Sequence, residues 1–191
     1  MKRVARHRVR TIAIGALFIA LLGFMFYRFY WQARVSVNTV MAGHIEQLVT
    51  IFTEIDTKCG ISEIKNDRNY IDFLTVKEFA GSQVGPLNLI ASDKWAGPYV
   101  QENLTMQGKF YEIVKTHDGY FIVPGSGVKL GNGKVIGQDI VFDVTSDIES
   151  MTNNTVGLES NGKPLAVRIH LQNSAASRAV EAQENMIFER D

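Results

Sequence analysis

The sequence predicts an α+β fold in which one long N-terminal helix lies against an antiparallel β-sheet. An apolar run near the N-terminus and apolar residues at helical spacing up to Gly60 predict the helix. Segments after residue 108 that are rich in β-branched and aromatic residues predict the sheet. The 191 residues are 46% hydrophobic and carry no net charge, which favours a packed core and excludes a disordered chain.

The first element is a basic leader, residues 1–10, followed by a predicted transmembrane helix, residues 11–31. Five Lys and Arg side chains precede an uncharged apolar run at residues 11–27, which Arg28 and the aromatic residues 29–31 close. A helix needs about 20 apolar residues to cross a bilayer, and Arg28 can extend its charge to the interface. The excess of positive charge before the span predicts a cytoplasmic N-terminus. The C-terminal domain is then periplasmic or extracellular, and the lipid bilayer is the first expected partner.

A cleaved secretory signal has the same order of basic and apolar segments. Cleavage requires small residues at a defined spacing, but Gly23 is followed by Phe-Met-Phe-Tyr, and Trp31 occupies the minus-three position before Ala33. We therefore expect an uncleaved anchor. Without the leader the remaining chain is mildly acidic, so we expect no nucleic-acid partner.

Residues 32–60 are predicted to continue the helix as an amphipathic spine. No proline interrupts residues 11–60, and glycine at position 60 suits a helix end. Apolar residues recur at spacings of three and four, which places them on one face that packs on the core: Val37, Met41, Ile45, Leu48, Phe52 and Ile55.

Residues 61–191 are predicted to form the α+β ectodomain. Asp118 and Gly119 form a turn signal between two strand-like segments, and five glycines make residues 125–137 a loop. In residues 165–171 every second residue is apolar, which is typical of a half-buried strand. Strands are predicted at residues 109–115, 119–124, 139–144 and 165–171, and short helices at residues 71–74 and 174–189.

We expect no catalytic, cofactor-binding or metal-binding residues, and no enzyme. The four histidines have no ligand at a metal-binding spacing, and His170 is expected to face solvent. His44 lies beside the apolar stripe, where its ring is expected to find a partner. Cys59, the single cysteine, is expected to be a small buried hydrophobic residue.

Two loops could be mistaken for binding sites. Residues 125–134 are glycine-rich, but Val135 follows Gly133 and Lys134 where a phosphate loop requires Ser or Thr. The acidic residues between 139 and 149 could supply oxygen ligands to calcium, yet they lack the order of an EF-hand. We interpret the first as a turn-rich loop and the second as a solvated acidic edge.

The string Trp-Ala-Gly-Pro-Tyr-Val at residues 95–100 resembles the W-x-G-P-Y-[LV] signature of type II secretion pseudopilins and related type IV pilin-like proteins. In both, the string follows the helical spine and precedes the sheet. Trp95 and Tyr99 can anchor the loop on the helix, while Gly97 and Pro98 set a tight turn. The resemblance implies a single-pass protein of a bacterial inner membrane. It also implies a structural subunit or accessory component of a secretion or pilus apparatus, with homo- or hetero-oligomeric partners bound through the N-terminal helix.

The chain departs from this family at the peptidase site. Pilin-like precursors carry a glycine before the mature N-terminus and a glutamate five residues into the mature chain. The fifth residue is Ala20 after Gly15 and Arg28 after Gly23, and the family's calcium-loop pattern is also absent. We therefore expect a protein that stays unprocessed in the membrane. The alternative function is a membrane-tethered periplasmic binding module that does not assemble into a filament.

Overall fold

The computed structural model describes residues 2–153, 157–160 and 162–172, with side chains at 15–29, 37–152, 157–159 and 162–172. Its architecture is α+β: helix α1 packs against antiparallel sheets, as the sequence predicts. The predicted C-terminal helix at residues 174–189 lies outside the described residues.

Helix α1 runs without interruption from Lys2 to Cys59. Its 58 residues correspond to about 87 Å at 1.5 Å per residue. Gly60 adopts φ +66°, and its N–H donates to the carbonyl of Asp56 at 2.9 Å, which confirms the predicted helix end. Within the part of the chain that the structure describes, no helix is both long and apolar enough to cross a bilayer.

The ectodomain covers one face of the second half of α1. All but the first of the predicted stripe residues are at most 1% exposed, and Val37 is half-buried against the same core: Met41, Ile45, Leu48, Phe52 and Ile55. Burying a large aliphatic or aromatic side chain stabilises the fold by about 1.5–3 kcal/mol, so this stripe is a major contact between helix and sheets.

The described strands are β1 Ile61–Ile64, β2 Arg68–Tyr70, β3 Gln83–Val84, β4 Leu87–Leu89, β5 Thr105–Met106, β6 Lys109–Phe110, β7 Glu112–Thr116, β8 Gly119–Val123, β9 Glu159–Ser160, β10 Lys163–Pro164 and β11 Val167–Ile169. The largest sheet has four strands in the order β11-β8-β7-β2, and a three-stranded sheet has the order β1-β4-β3. Two further hairpins, β5-β6 and β9-β10, complete the described strand pairs, all of which are antiparallel. A 3₁₀ turn at Ser92–Lys94 and a short helix α2 at Ile148–Asn153 lie between strands.

The hairpin at the centre of the four-stranded sheet is where the sequence predicts it. Thr116 pairs with Gly119 at the turn, and Gly119 has φ +124°, a conformation that glycine adopts without strain. The predicted strand at residues 165–171 is confirmed in a shorter form, β11. Its apolar residues Leu165, Ile169 and Leu171 are buried, and Val167 is half-buried.

Three predicted elements are wrong or altered. Residues 71–74 are not helical: Ile71 donates its N–H to the carbonyl of Tyr111 at 2.8 Å, and a turn begins at Leu74. Three of these four residues are buried. The predicted strand at 109–115 is two strands, since β6 pairs with β5 while β7 pairs with β2 and β8.

The predicted strand at residues 139–144 is absent, because its carboxylates bond to the backbone of neighbouring turns. Asp139 Oδ2 accepts the N–H of Val135 at 2.8 Å, and Asp143 Oδ1 accepts the N–H of Thr145 at 2.9 Å. Asp side chains that bond locally in this way compete with a strand ladder. Residues 125–137 form the predicted loop, within which Lys129 bridges Val135.

Candidate assembly surface

The first half of α1 exposes a continuous apolar surface, called here the apolar arm, at residues 15–29. Its ten large apolar side chains between Leu17 and Phe29 are 42–76% exposed. Arg28 is the only charged residue among them. Monomeric soluble proteins rarely expose contiguous apolar patches larger than a few hundred Å², and larger ones mark contacts with a membrane or a partner. The apolar arm is therefore the first candidate surface.

The second candidate feature is the loop that carries the Trp-Ala-Gly-Pro-Tyr string. The rings of Trp95 and Tyr99 meet edge to face with centroids 4.8 Å apart, and Phe79 meets Trp95 in the same way at 5.4 Å. The indole N–H of Trp95 donates to the carbonyl of Val76 at 3.0 Å. These contacts hold the loop against residues 76–79. These partners of Trp95 therefore lie outside the helix on which the sequence predicts that it anchors the loop.

Gly97 is required at its position by space rather than by backbone angle. A Cβ atom on Gly97 would collide with the carbonyl oxygen of Val76 and with the indole nitrogen of Trp95. The two groups that would be displaced are the acceptor and donor of one hydrogen bond. Pro98 follows through a cis peptide bond and is exposed.

The loop is attached to the last turn of the spine. The N–H groups of Ile90 and Ala91 donate to the carbonyls of Gly60 and Cys59 at 2.9 and 2.8 Å. Tyr99 lies beside Cys59, and burial raises the pKa of both the Tyr99 hydroxyl and the Cys59 thiol. Tyr99 thus connects the string to the end of the helix, as the sequence predicts. Cys59 is buried, as the sequence predicts.

Sequence reasoning missed Asp56, which links three parts of the fold. The carboxylate is only 3% exposed, and its Oδ1 accepts the N–H of Ile61 at 2.8 Å. Its Oδ2 accepts the N–H of Gln172 at 2.7 Å, which ties the end of β11 to the helix. An acidic residue in the last turn interacts unfavourably with the helix dipole. This unusual position of Asp56 is the feature of the sequence that could have indicated its structural role.

A second buried carboxylate, Glu112 on β7, holds the glycine-rich loop. It is 1% exposed, lies 2.9 Å from the Nε of Arg68, and accepts the N–H of Ser126 at 2.8 Å through Oε1. Arg68 also donates to the carbonyl of Phe142 at 3.3 Å. The ion pair joins β2 to β7, and the hydrogen bond from Ser126 attaches the loop at residues 125–137 to the four-stranded sheet.

The histidines are dispersed. The Nδ1 of His44 lies 3.1 Å from the hydroxyl of Tyr111, and burial lowers the pKa of His44. His170 is exposed, as predicted, and His117 lies on the surface 3.1 Å from Asp118. Among the residues that the structure describes, no three His, Cys, Asp or Glu side chains are grouped closely enough to hold a metal ion.

Comparison with known proteins gives no match: neither a family model, nor a curated protein, nor a solved structure matches this chain.

Proposed function

We propose that this chain is a membrane-anchored, pilin-like structural subunit or accessory component of a bacterial secretion or pilus apparatus. It acts by packing its N-terminal helix against partner helices and by displaying its ectodomain. One observation carries the proposal: the same helix has an exposed apolar surface at residues 15–29, and one of its faces is buried under the ectodomain from Met41 to Cys59. A monomeric soluble domain rarely exposes a contiguous apolar surface of this size.

The dimensions support anchoring in a bilayer. Residues 11–31 of α1 would extend about 32 Å, close to the roughly 30 Å of a hydrocarbon core. The described side chains begin at Gly15, inside this segment, and every one from there to Tyr27 is uncharged. The basic leader, residues 1–10, favours a cytoplasmic N-terminus and a periplasmic ectodomain.

The order of parts supports the pilin-like assignment. The apolar arm and the spine come first along the chain, and the Trp-Ala-Gly-Pro-Tyr loop precedes the β7-β8 hairpin at the centre of the four-stranded sheet. Strands β1 to β4 lie between the spine and the loop, so the expectation that the loop precedes the whole sheet is wrong. The loop is bonded to the last turn of the spine through Gly60 and Cys59. In this proposal the loop keeps the sheet at a fixed position on the helix, which every copy in an assembly must share.

The second candidate, a membrane-tethered periplasmic interaction module, is favoured by one observation. The glutamate expected at a prepilin peptidase site is replaced by Ala20 or Arg28, so the chain lacks the usual route to a processed filament subunit. The intact mass of the membrane-extracted protein separates a filament subunit from a fixed membrane component. A trimmed N-terminus supports the filament subunit, and a full-length one supports either an accessory component or the interaction module.

Anchoring is tested with the full chain carrying a C-terminal tag in a Gram-negative host. We expect the protein to float with membranes, to resist alkaline extraction, and to be digested by protease added to spheroplasts. Leu21→Arg places a charge at the centre of the span and costs about 2.5–3.5 kcal/mol of insertion free energy, so extraction should increase. Val40→Arg, at an exposed position of α1 outside the apolar arm, is the matched control. Full-length protein found entirely in the aqueous fraction would refute anchoring.

Helix packing is tested by cross-linking, since Cys59 is the only cysteine. In a Cys59→Ala background, single cysteines are placed along residues 17–27 and oxidised in the membrane. Cross-linked products that recur every three or four positions support packing of one face of the arm against a partner. Uniform cross-linking at all positions, or none, argues against assembly through this helix.

A further inference from the structure

The glycine-rich loop at residues 125–137 lies at the end of the ectodomain nearest the apolar arm. Its tip is attached to the spine, because Asn38 Oδ1 accepts the N–H of Gly131 at 2.8 Å. Asn38 follows residue 31, the predicted end of the transmembrane helix, by seven residues, which correspond to about 10 Å along α1. The polar headgroup layer on each side of a bilayer is about 5–7 Å thick. In an anchored chain the tip of the loop therefore lies only a few ångströms beyond the headgroups.

Three lysines at this tip, called here the basic end, belong to one surface. Lys129 and Lys134 flank the tip in the sequence, and Gln107 of the β5-β6 hairpin bonds to the backbone N–H and carbonyl of Lys129. Lys109 of the same hairpin crosses the loop, since its Cε is 3.3 Å from the position of a Cβ atom on Gly127. Lys109 and Lys129 are exposed, and Lys134 is half-buried.

The basic end carries positive charge on an otherwise acidic ectodomain. Residues 105–110 and 125–139 contain the three lysines and one acidic residue, Asp139, whose Oδ2 accepts the N–H of Val135. Within the described part of the chain, none of the three ammonium groups forms an ion pair or a hydrogen bond. The chain has 20 basic and 20 acidic residues, but six of the basic ones and none of the acidic ones precede residue 32. The charge of the basic end is therefore opposite in sign to that of the remaining ectodomain.

We propose that the basic end binds anionic phospholipid headgroups of the leaflet from which the ectodomain emerges. This contact rests on the membrane anchoring of the proposed function and adds a second attachment to the bilayer. The flexible four-carbon stem of each lysine spans the remaining few ångströms, and a negative membrane surface strengthens binding about fivefold for each such side chain. The attraction falls off within a Debye length of about 8 Å, so it acts on this end of the ectodomain and restrains the tilt of the spine.

The test measures how fast each lysine of the unmodified full chain reacts with an uncharged amine-reactive ester in lipid nanodiscs. One set of nanodiscs contains phosphatidylcholine alone, and the other contains equal shares of phosphatidylcholine and phosphatidylglycerol, neither of which carries a reactive amine. Lys94 is the internal control, because it is exposed and lies in the 3₁₀ turn whose preceding residue, Ala91, bonds to Cys59. Cys59 is about 32 Å beyond Asn38 along α1, well outside the reach of the surface charge.

At low salt we expect the basic end to react at least about tenfold more slowly in the anionic nanodiscs, while Lys94 changes less than about twofold. High salt should remove the difference, and inorganic phosphate added to the phosphatidylcholine nanodiscs should protect none of these lysines. Equal rates in the two lipids would overturn the headgroup contact and leave anchoring intact. A full chain that does not co-elute with nanodiscs would overturn both. Protection by free phosphate would overturn the contact and indicate a site for a soluble anion.

A charge-removal variant tests the same contact by a second measurement. Combining Lys129→Gln with Lys134→Gln leaves Lys109 as the reporter, and its protection by phosphatidylglycerol should fall to about a third or less. The matched control combines Lys77→Gln with Lys94→Gln, two exposed positions away from the loop, and should leave the protection of Lys109 unchanged. Near-ultraviolet circular dichroism verifies that each variant is folded. Unchanged protection of Lys109 in the folded first variant would also overturn the proposal.

Discussion

Replacing Asp56 with asparagine tests whether one buried carboxylate holds the helix, β1 and the end of β11 together. The aspartate accepts two backbone N–H groups, one on each oxygen, from Ile61 and Gln172. Asparagine has the same shape but only one acceptor oxygen, so its amide NH₂ must face one of these two donors. The variant therefore changes hydrogen bonding with almost no change in packing.

The size of the effect follows from these two bonds. A hydrogen bond to a charged group contributes about 1.5–3 kcal/mol, and a neutral one about 0.5–1.5 kcal/mol. The variant loses one charged bond and converts the other to a neutral bond, which lowers the free energy of unfolding by about 2.5–4 kcal/mol. That is a large part of the 5–15 kcal/mol typical of a domain.

Urea unfolding of the detergent-solubilised full chain measures this loss, with Trp31→Phe as background so that Trp95 is the only indole. With a slope of about 2 kcal/mol per molar urea, the midpoint should fall by roughly 1–2 M. Asp72→Asn, an identical change at an exposed carboxylate, should shift it by less than about 0.3 M. Equal midpoints for the two variants would refute the role of Asp56.

Gly97→Ala should lower the free energy of unfolding by about 2–4 kcal/mol and shift the Trp95 emission to longer wavelength, because its Cβ separates the indole from the Val76 carbonyl. Gly43→Ala, in open space on α1, should instead stabilise by about 0.5–1 kcal/mol. The buried Cys59 thiol, whose pKa is raised, should react with a maleimide only at the rate of unfolding. Burial lowers the pKa of His44, so the unfolded chain binds its proton first; stability should fall as the pH drops below about 6.5, and His44→Gln should reduce that loss.

Each of these has a contradicting outcome. Equal effects of alanine at positions 97 and 43 would show that space around Gly97 is not limiting. Rapid labelling of Cys59 in native protein would contradict its burial. A pH profile that His44→Gln leaves unchanged would assign the acid sensitivity to other groups.

The helix and the central hairpin were predictable because each has a local cause. The stripe from Val37 to Ile55 repeats with the period of a helix, and Gly60 ends it with a positive φ. The turn at Asp118 and Gly119 needs a residue that tolerates φ +124°, and glycine supplies it. These features depend on residues that are close together in the sequence, so they can be predicted without knowledge of the tertiary structure.

The failures have tertiary or side-chain causes. The local sequence of residues 71–74 favours a helix, but Ile71 donates its N–H to the carbonyl of Tyr111, which lies 40 positions further along the chain. Residues 139–144 look like a strand by composition, yet Asp139 and Asp143 satisfy nearby backbone donors. The contact of Asp56 with Gln172 spans 116 positions, and no local pattern predicts a bond of that separation.

The continuity of α1 from Lys2 to Cys59 gives the apolar arm and the spine a common rotational phase. One residue inserted at positions 30–36 would turn the ectodomain by about 100° around the helix axis while raising it only about 1.5 Å. Seven inserted residues would restore its facing to within about 20° and raise it by about 10 Å. The number of residues between the apolar arm and the spine therefore determines which way the sheet faces around the helix axis. A change of one residue alters this direction strongly and the height of the sheet only slightly.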